Sequence, residues 1–170
     1  MSTRPHDWED PVTLPPVEAP ARVIVPFDGS HNAERALSWA AFVAAATEGE
    51  IVVVVAYEQP LTMRGRGVQQ IESTRDELEA EALDLATEAV GLVQARGVTA
   101  RGVVIKGDVA HSILDSVDAE GGDLVIMGRQ GVSAELGGLT GALDRVRDML
   151  EGSIAGKVVR HASVPVLVVP

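Results

Sequence analysis

The residues with the clearest capacity for chemistry lie between Asp123 and Ser153. An apolar run, Asp123-Leu124-Val125-Ile126-Met127, passes directly into Gly128-Arg129-Gln130-Gly131, and a long glycine-rich segment closes at Gly152-Ser153 ahead of a helical pattern. This order predicts a buried strand, a glycine-lined turn and a helix N-terminus. Such an arrangement suits a phosphate. Glycines let the main chain approach an anion, and a helix N-terminus presents unpaired N–H groups and the positive end of its dipole. Glycines of this kind also make plain surface loops, and the stretch by itself leaves both readings open. Asp28 is similarly two-sided: it could meet a ligand's polar groups at a strand end, or bond its own backbone in a turn.

Other chemistries find less support. There is no cysteine, which removes disulfides, thiolate catalysis and Cys-bound zinc. His6, Asp7, Glu9 and Asp10 fall in an acidic arm and read as solvated charge rather than a metal site. His31, His111 and His161 are spaced as helix-flanking or helix-surface residues, with no Ser-His-Asp pattern around them. Gly65 and Gly67 follow no strand and lack a third glycine, so they form no dinucleotide fingerprint. The segment Gly152 to Lys157 is one residue short of a Walker A loop and has no hydroxyl after its lysine. No catalytic residue and no protein metal ligand is expected.

The elements that must position the glycine turn follow from periodicity. Residues 1–20 hold five of the nine prolines and predict an extended or disordered arm, leaving 21–170 as one domain. Strands are predicted at 22–27, 51–56, 98–105, 123–127 and 166–169. Between them, helices are predicted at 32–47, 71–95, after Gly107-Asp108, and at 154–161. Ser30 or Asn32 would cap the first, Asp108 the third, and 58–70 would be a loop. Trp39 lies off the apolar stripe of its helix and is expected to pack against a neighbouring element. Strands alternating with helices imply right-handed crossovers and a doubly wound parallel sheet. Ligands of such sheets bind at the carboxyl ends of the strands, where strand order reverses.

Composition agrees with this. Hydrophobic residues make up 46% and aromatics 3%, so the core must be aliphatic, as in parallel sheets buried on both faces. The formal net charge of −11 opposes nucleic acid and anionic membranes as general partners. No stretch has the length of a bilayer span, and the N-terminal residues lack the apolar core of a secretory leader; a cytoplasmic address is the expectation.

Four segments resemble the universal stress protein family: 23–30 (Val-Ile-Val-Pro-Phe-Asp-Gly-Ser), 107–110 (Gly-Asp-Val-Ala), 123–128 (Asp-Leu-Val-Ile-Met-Gly) and 152–169, which begins Gly-Ser-Ile-Ala-Gly-Lys. The resemblance covers about 21–170. It implies a single-domain, five-stranded parallel sheet of order 3-2-1-4-5 with helices on both faces, like the adenine nucleotide alpha hydrolases. It also implies a homodimer paired through the last strand, 166–169. The ATP-binding branch of the family is marked by G-x2-G-x9-G followed by Ser or Thr. Gly128 and Gly131 match the first pair; Gly141 sits at the family spacing but is followed by Ala142. Gly152-Ser153 keeps everything downstream in step, at the cost of twenty residues, 132–151, where the family has nine. Leu143, Val146 and Leu150 have helical spacing within that insertion. It could cover a nucleotide as a lid or occlude the pocket.

Membership of the ATP-binding branch would assign roles residue by residue. Pro26, Phe27 and Asp28 would lie at the adenine side, and Ala56 would line the adenine pocket. Met127 and Gly128 would flank the ribose. Gln130, Gly131, Gly152, Ser153 and Ile154 would face the phosphates, which would themselves carry any Mg or Mn. Lys157 and Arg160 read as helix-face charges. The implied function is an ATP-binding stress-response or signalling module with slow or no hydrolysis, at most a slow ATPase. The alternative is a non-nucleotide dimerisation or adaptor protein whose segment 132–151 fills the pocket.

Overall fold

The computed structural model describes residues 16–58, 68–130 and 153–170. Five strands and four helices alternate along the chain: β1 Arg22–Pro26, α1 His31–Thr47, β2 Glu50–Tyr57, α2 Val68–Gln94, β3 Thr99–Lys106, α3 Val109–Glu120, β4 Leu124–Gly128, α4 Ile154–His161 and β5 Val166–Val169. The strands form one sheet in the order β3-β2-β1-β4-β5, and every pairing is parallel. This is the doubly wound fold, with the strand order, that the resemblance implies.

Period-two alternation splits each central strand between two aliphatic layers. Val23 and Val25 of β1, and Phe27 just past its end, pack with Ala36, Leu37 and Ala40 of α1 and Ala86 and Ala89 of α2. Ile24, with Val52, Val54 and Val125, faces the other way onto Ile113 and Val117 of α3 and Val158 of α4. Ala33, Leu37, Ala40 and Ala44, an apolar stripe at helical spacing along α1, are all buried. The small alanine side chains let α1 lie close over β1 and β4.

Most element boundaries fall within a residue of the sequence expectation. The exception is α2, which begins at Val68 inside the segment 58–70 predicted as loop. Residues 59–67, the expected arm residues 1–15, and 131–152, including the insertion, lie outside the described residues. Trp39 also differs from expectation. It is half exposed, and its ring meets Phe42 of the same helix edge-on, with centroids 6.1 Å apart and planes at 87°. Its aromatic partner is one turn away rather than on another element. Gly121 ends α3 in the left-handed conformation, φ 64°, which a side chain would disfavour.

Ile24 has no exposed surface and sits at the centre of the α3/α4 layer. Ile24→Ala should therefore lower unfolding free energy by about 2–5 kcal/mol. Urea titration should show a lower midpoint with an unchanged slope.

Candidate functional site

Because all strands are parallel and each of β1 to β4 is followed by a helix, α1, α3 and α4 begin at the carboxyl edge of the sheet. Their N-termini are capped by their own side chains. Ser30 Oγ accepts the Ala33 N–H at 3.2 Å. Asp108 Oδ1 accepts the His111 N–H at 2.9 Å. Ser153 Oγ accepts the Gly156 N–H at 3.0 Å. Of the two caps proposed for α1, Ser30 is the one used. Each cap satisfies one first-turn donor; the N–H groups ahead of it have no partner within their own helix.

Strand order reverses between β1 and β4, which pair with Val23 opposite Leu124 and Ile24 opposite Val125. Continuing that register brings Pro26 level with Met127, and Pro26 is paired with Val54 on its other side. Pro26, Ala56 and Met127 share the α3/α4 face by strand parity. Pro26 and Ala56 are half-buried at the mouth. Phe27 and Met127 are core side chains, 5% and 4% exposed, and the Phe27 N–H is held by the Val54 carbonyl at 2.9 Å. Asp28 is exposed at the end of β1, and its Oδ1 accepts the Ser30 N–H at 3.1 Å. The turn-residue role is thus present, with the carboxylate still at the mouth.

Gly128 lies where the chain leaves β4. A Cβ there would stand 2.8 Å from Asn32 Cβ, 2.9 Å from its carbonyl carbon and 3.0 Å from its oxygen. Only glycine lets the end of β4 press against the first turn of α1. Beyond it, the Arg129 N–H is bonded to the Val169 carbonyl at 2.8 Å. The Gln130 carbonyl accepts from Asn32 Nδ2 at 3.3 Å. Gly131 and Gly152 lie outside the described residues. Ser153 is half-buried at the start of α4 and Ile154 is exposed.

The donor set at α4 fits an anion. Ser153 uses its oxygen as the cap acceptor and keeps its hydroxyl proton for donation. The Ile154 and Ala155 amides precede the first i→i−4 bond, which runs from the Lys157 N–H to the Ser153 carbonyl at 3.0 Å. Nearby, Asp108 is held below the ordinary carboxylate value of 3.8 by the His111 N–H, then by the His111 ring; burial opposes this and the Lys157 charge assists it. Tyr57, at the end of β2, is pushed above its ordinary value by burial, then by the charge of Glu79 and its hydrogen bond, against the charge of Arg75. Among the described residues, no group of three or more acidic or histidine side chains is arranged to hold a metal, and no helix is long and apolar enough to cross a membrane.

The model of the universal stress protein family matches residues 21–170. The chain belongs to that family. Universal stress protein YxiE of Bacillus subtilis is 26% identical over 155 residues, covering 87% of this chain and 97% of the relative. Among solved structures, a universal stress protein in complex with cAMP has a TM-score of 0.65 at 24% identity, covering 89% of this chain and 98% of its own. An AMP-bound universal stress protein from Arabidopsis thaliana has a TM-score of 0.59 at 16% identity, covering 88% and 91%. At these identities the structural likeness speaks to the universal stress protein fold, which the strand order above matches.

Two residues of this universal stress protein's site region were missed from sequence. Asn32, which the sequence offers only as a cap, reaches Gln130. Glu58 Oε1 accepts the Val109 N–H at 3.2 Å and ties the end of β2 to α3. Neither partner can be foreseen until strand order is known.

The depressed Asp108 value has a sign. The stabilisation is present above the unfolded-state value and lost as pH falls through the folded one. Asp108→Ala should be less stable than wild type at neutral pH. The difference in unfolding midpoint should shrink as pH drops below 3.8.

Proposed function

We propose that this universal stress protein binds an adenine nucleotide, ATP in the first instance, at the mouth between β1 and β4. The observation that carries the reading is the Ser153-capped start of α4. It offers a hydroxyl proton and two amides without helical partners, on the edge where strand order reverses. Solved family members with bound AMP and cAMP support the choice of ligand. In this reading Gln130, Gly131, Gly152, Ser153 and Ile154 receive the phosphates. Pro26 and Ala56, with Met127 on the same face, provide an apolar adenine floor, Phe27 backs it from the α1/α2 layer, and Asp28 meets polar groups of the nucleoside. Met127 and Gly128 border the ribose, and Mg or Mn rides on the phosphates.

Turnover is slow or absent, and the protein acts as a nucleotide-dependent stress-response or signalling module in the cytoplasm. Fast phosphoryl transfer needs a positioned base and an added positive charge. Here His111 is engaged by Asp108 and His31 by Glu34, both on exposed helix surfaces. The module works as a homodimer through β5. That strand is an edge of the sheet with Leu167 39% exposed, and an apolar edge left bare invites pairing.

Denaturing the purified protein should release ATP, ADP or AMP, and Gly131→Val and Gly152→Val should each abolish retention while thermal unfolding stays near wild type. Retention unchanged in both variants removes the phosphate assignment. No released nucleotide, together with no calorimetric heat from any adenine compound, favours the non-nucleotide adaptor instead. Light scattering at micromolar concentration should give a dimer; a monomer overturns the pairing through β5.

A further inference from the structure

The two helices on one face of the sheet leave its β5 side open. On that face α2 lies over β2 and β3, and α1 lies over β1 and β4. The flank of α1 that looks toward α2 carries Glu34, Ser38 and Ala41, which share a groove with Leu92 and Arg96 of α2. At about 100° per residue, the opposite flank carries Asn32, Trp39 and Val43, and Asn32 meets Gly128 at the end of β4. That flank therefore looks toward β5. Leu167 of β5 points to the same side of the sheet, since it is paired with Ile126, a side chain of the α1/α2 layer. Trp39 is 51% exposed, its edge-on neighbour Phe42 66% and Leu167 39%. The chain has only two Trp, one Tyr and two Phe, and one Trp and one Phe are left side by side in water. Large apolar side chains grouped on a surface mark a contact face.

We propose that this flank of α1 is covered by the same flank of a second copy of the chain, with Trp39 and Phe42 as its anchors. The inference rests on the pairing through β5 proposed above. The Val125 N–H bonds the Pro165 carbonyl and the Arg129 N–H bonds the Val169 carbonyl, so Val166 and Val168 turn their main-chain groups away from β4, to the edge. Antiparallel pairing of two such edges has its two-fold axis perpendicular to the sheet. Each face then stays on its own side, and α1 confronts α1 of the copy. The four residues of β5 span about 13 Å, too little alone for the roughly 800 Å² per partner of a stable dimer. The α1 flank supplies apolar area where the strand runs out. Charge favours the same occupant. A chain of net charge −11 repels its own copies, yet none of its 25 acidic residues falls in 35–47 or 161–170. Two copies meeting there oppose no carboxylates. Desolvated aromatic side chains are the usual anchors of such contacts.

Sedimentation equilibrium of the full chain tests this, on wild type, Trp39→Ala and Phe42→Glu, with amide hydrogen exchange read in the wild-type dimer and again after dilution. Wild type should dimerise, and each substitution should raise the dimer Kd about thirtyfold or more. Both side chains are more than half exposed, so the diluted variants should unfold cooperatively and close to diluted wild type. The Val166 and Val168 amides should exchange slowly in the dimer and faster after dilution. A dimer unaffected by both substitutions overturns the proposal while the pairing through β5 stands. Loss of cooperative unfolding in both variants makes the two rings part of the fold itself and overturns it as well. A dimer whose Val166 and Val168 amides exchange alike before and after dilution, or a wild-type monomer at micromolar concentration, overturns the proposal and the pairing through β5 together.

Discussion

The mouth of this sheet depends on one close approach, that of Gly128 to the first turn of α1. Parallel pairing of β1 with β4 brings the two strand ends side by side, and α1 starts three residues after the mouth-facing Asp28. With any side chain at 128, a Cβ would press on both main-chain and side-chain atoms of Asn32 at 3.0 Å or less. Displacing a helix turn that also buries Ala33, Ala36 and Leu37 would disturb the α1/α2 layer as well as the mouth. The packing of the core and the course of the glycine turn are therefore one constraint, and Asn32 adds a polar latch to it.

A chain of formal charge −11 is an unpromising host for a phosphate until the location of its dipoles is considered. Parallel pairing throughout the sheet puts every strand-to-helix turn on the same edge. The starts of α1, α3 and α4 thus gather there. Each contributes roughly 0.3–1 kcal/mol toward a nearby anion, at contact range. Scattered surface carboxylates act through solvent and are screened beyond about 8–10 Å at ordinary ionic strength. Local main-chain donors can outweigh global charge of the opposite sign, which is how an acidic family member could still grip an anion.

Local spacing specifies part of this fold and stops at contacts between distant segments. The stripe Ala33, Leu37, Ala40, Ala44 and the β-branched run of β2 were legible because burial imposes a period that sequence displays directly. The start of α2 at Val68 was hidden, because Gly65 and Gly67 nearby read as loop. Trp39 was expected to find a partner across an interface and instead meets Phe42 one turn on; two large rings at i and i+3 satisfy each other on the surface of a helix. Asn32 looked like a spare cap, since a side chain's choice between its own helix and a distant carbonyl depends on what stands opposite.

By itself, the sequence determined the alternation of strands and helices, the aliphatic character of both layers, the cap at Asp108, and the family. Each of these is written in local spacing, which short-range sterics and hydrogen bonding convert directly into structure. Tertiary structure alone decided that Gly128 must be bare because Asn32 is there, that Phe27 and Met127 are spent on the core, that Ser30 rather than Asn32 caps α1, and that Asn32 holds Gln130. These pairings join residues about a hundred positions apart, and no local period encodes them; they exist only once the sheet has chosen its strand order.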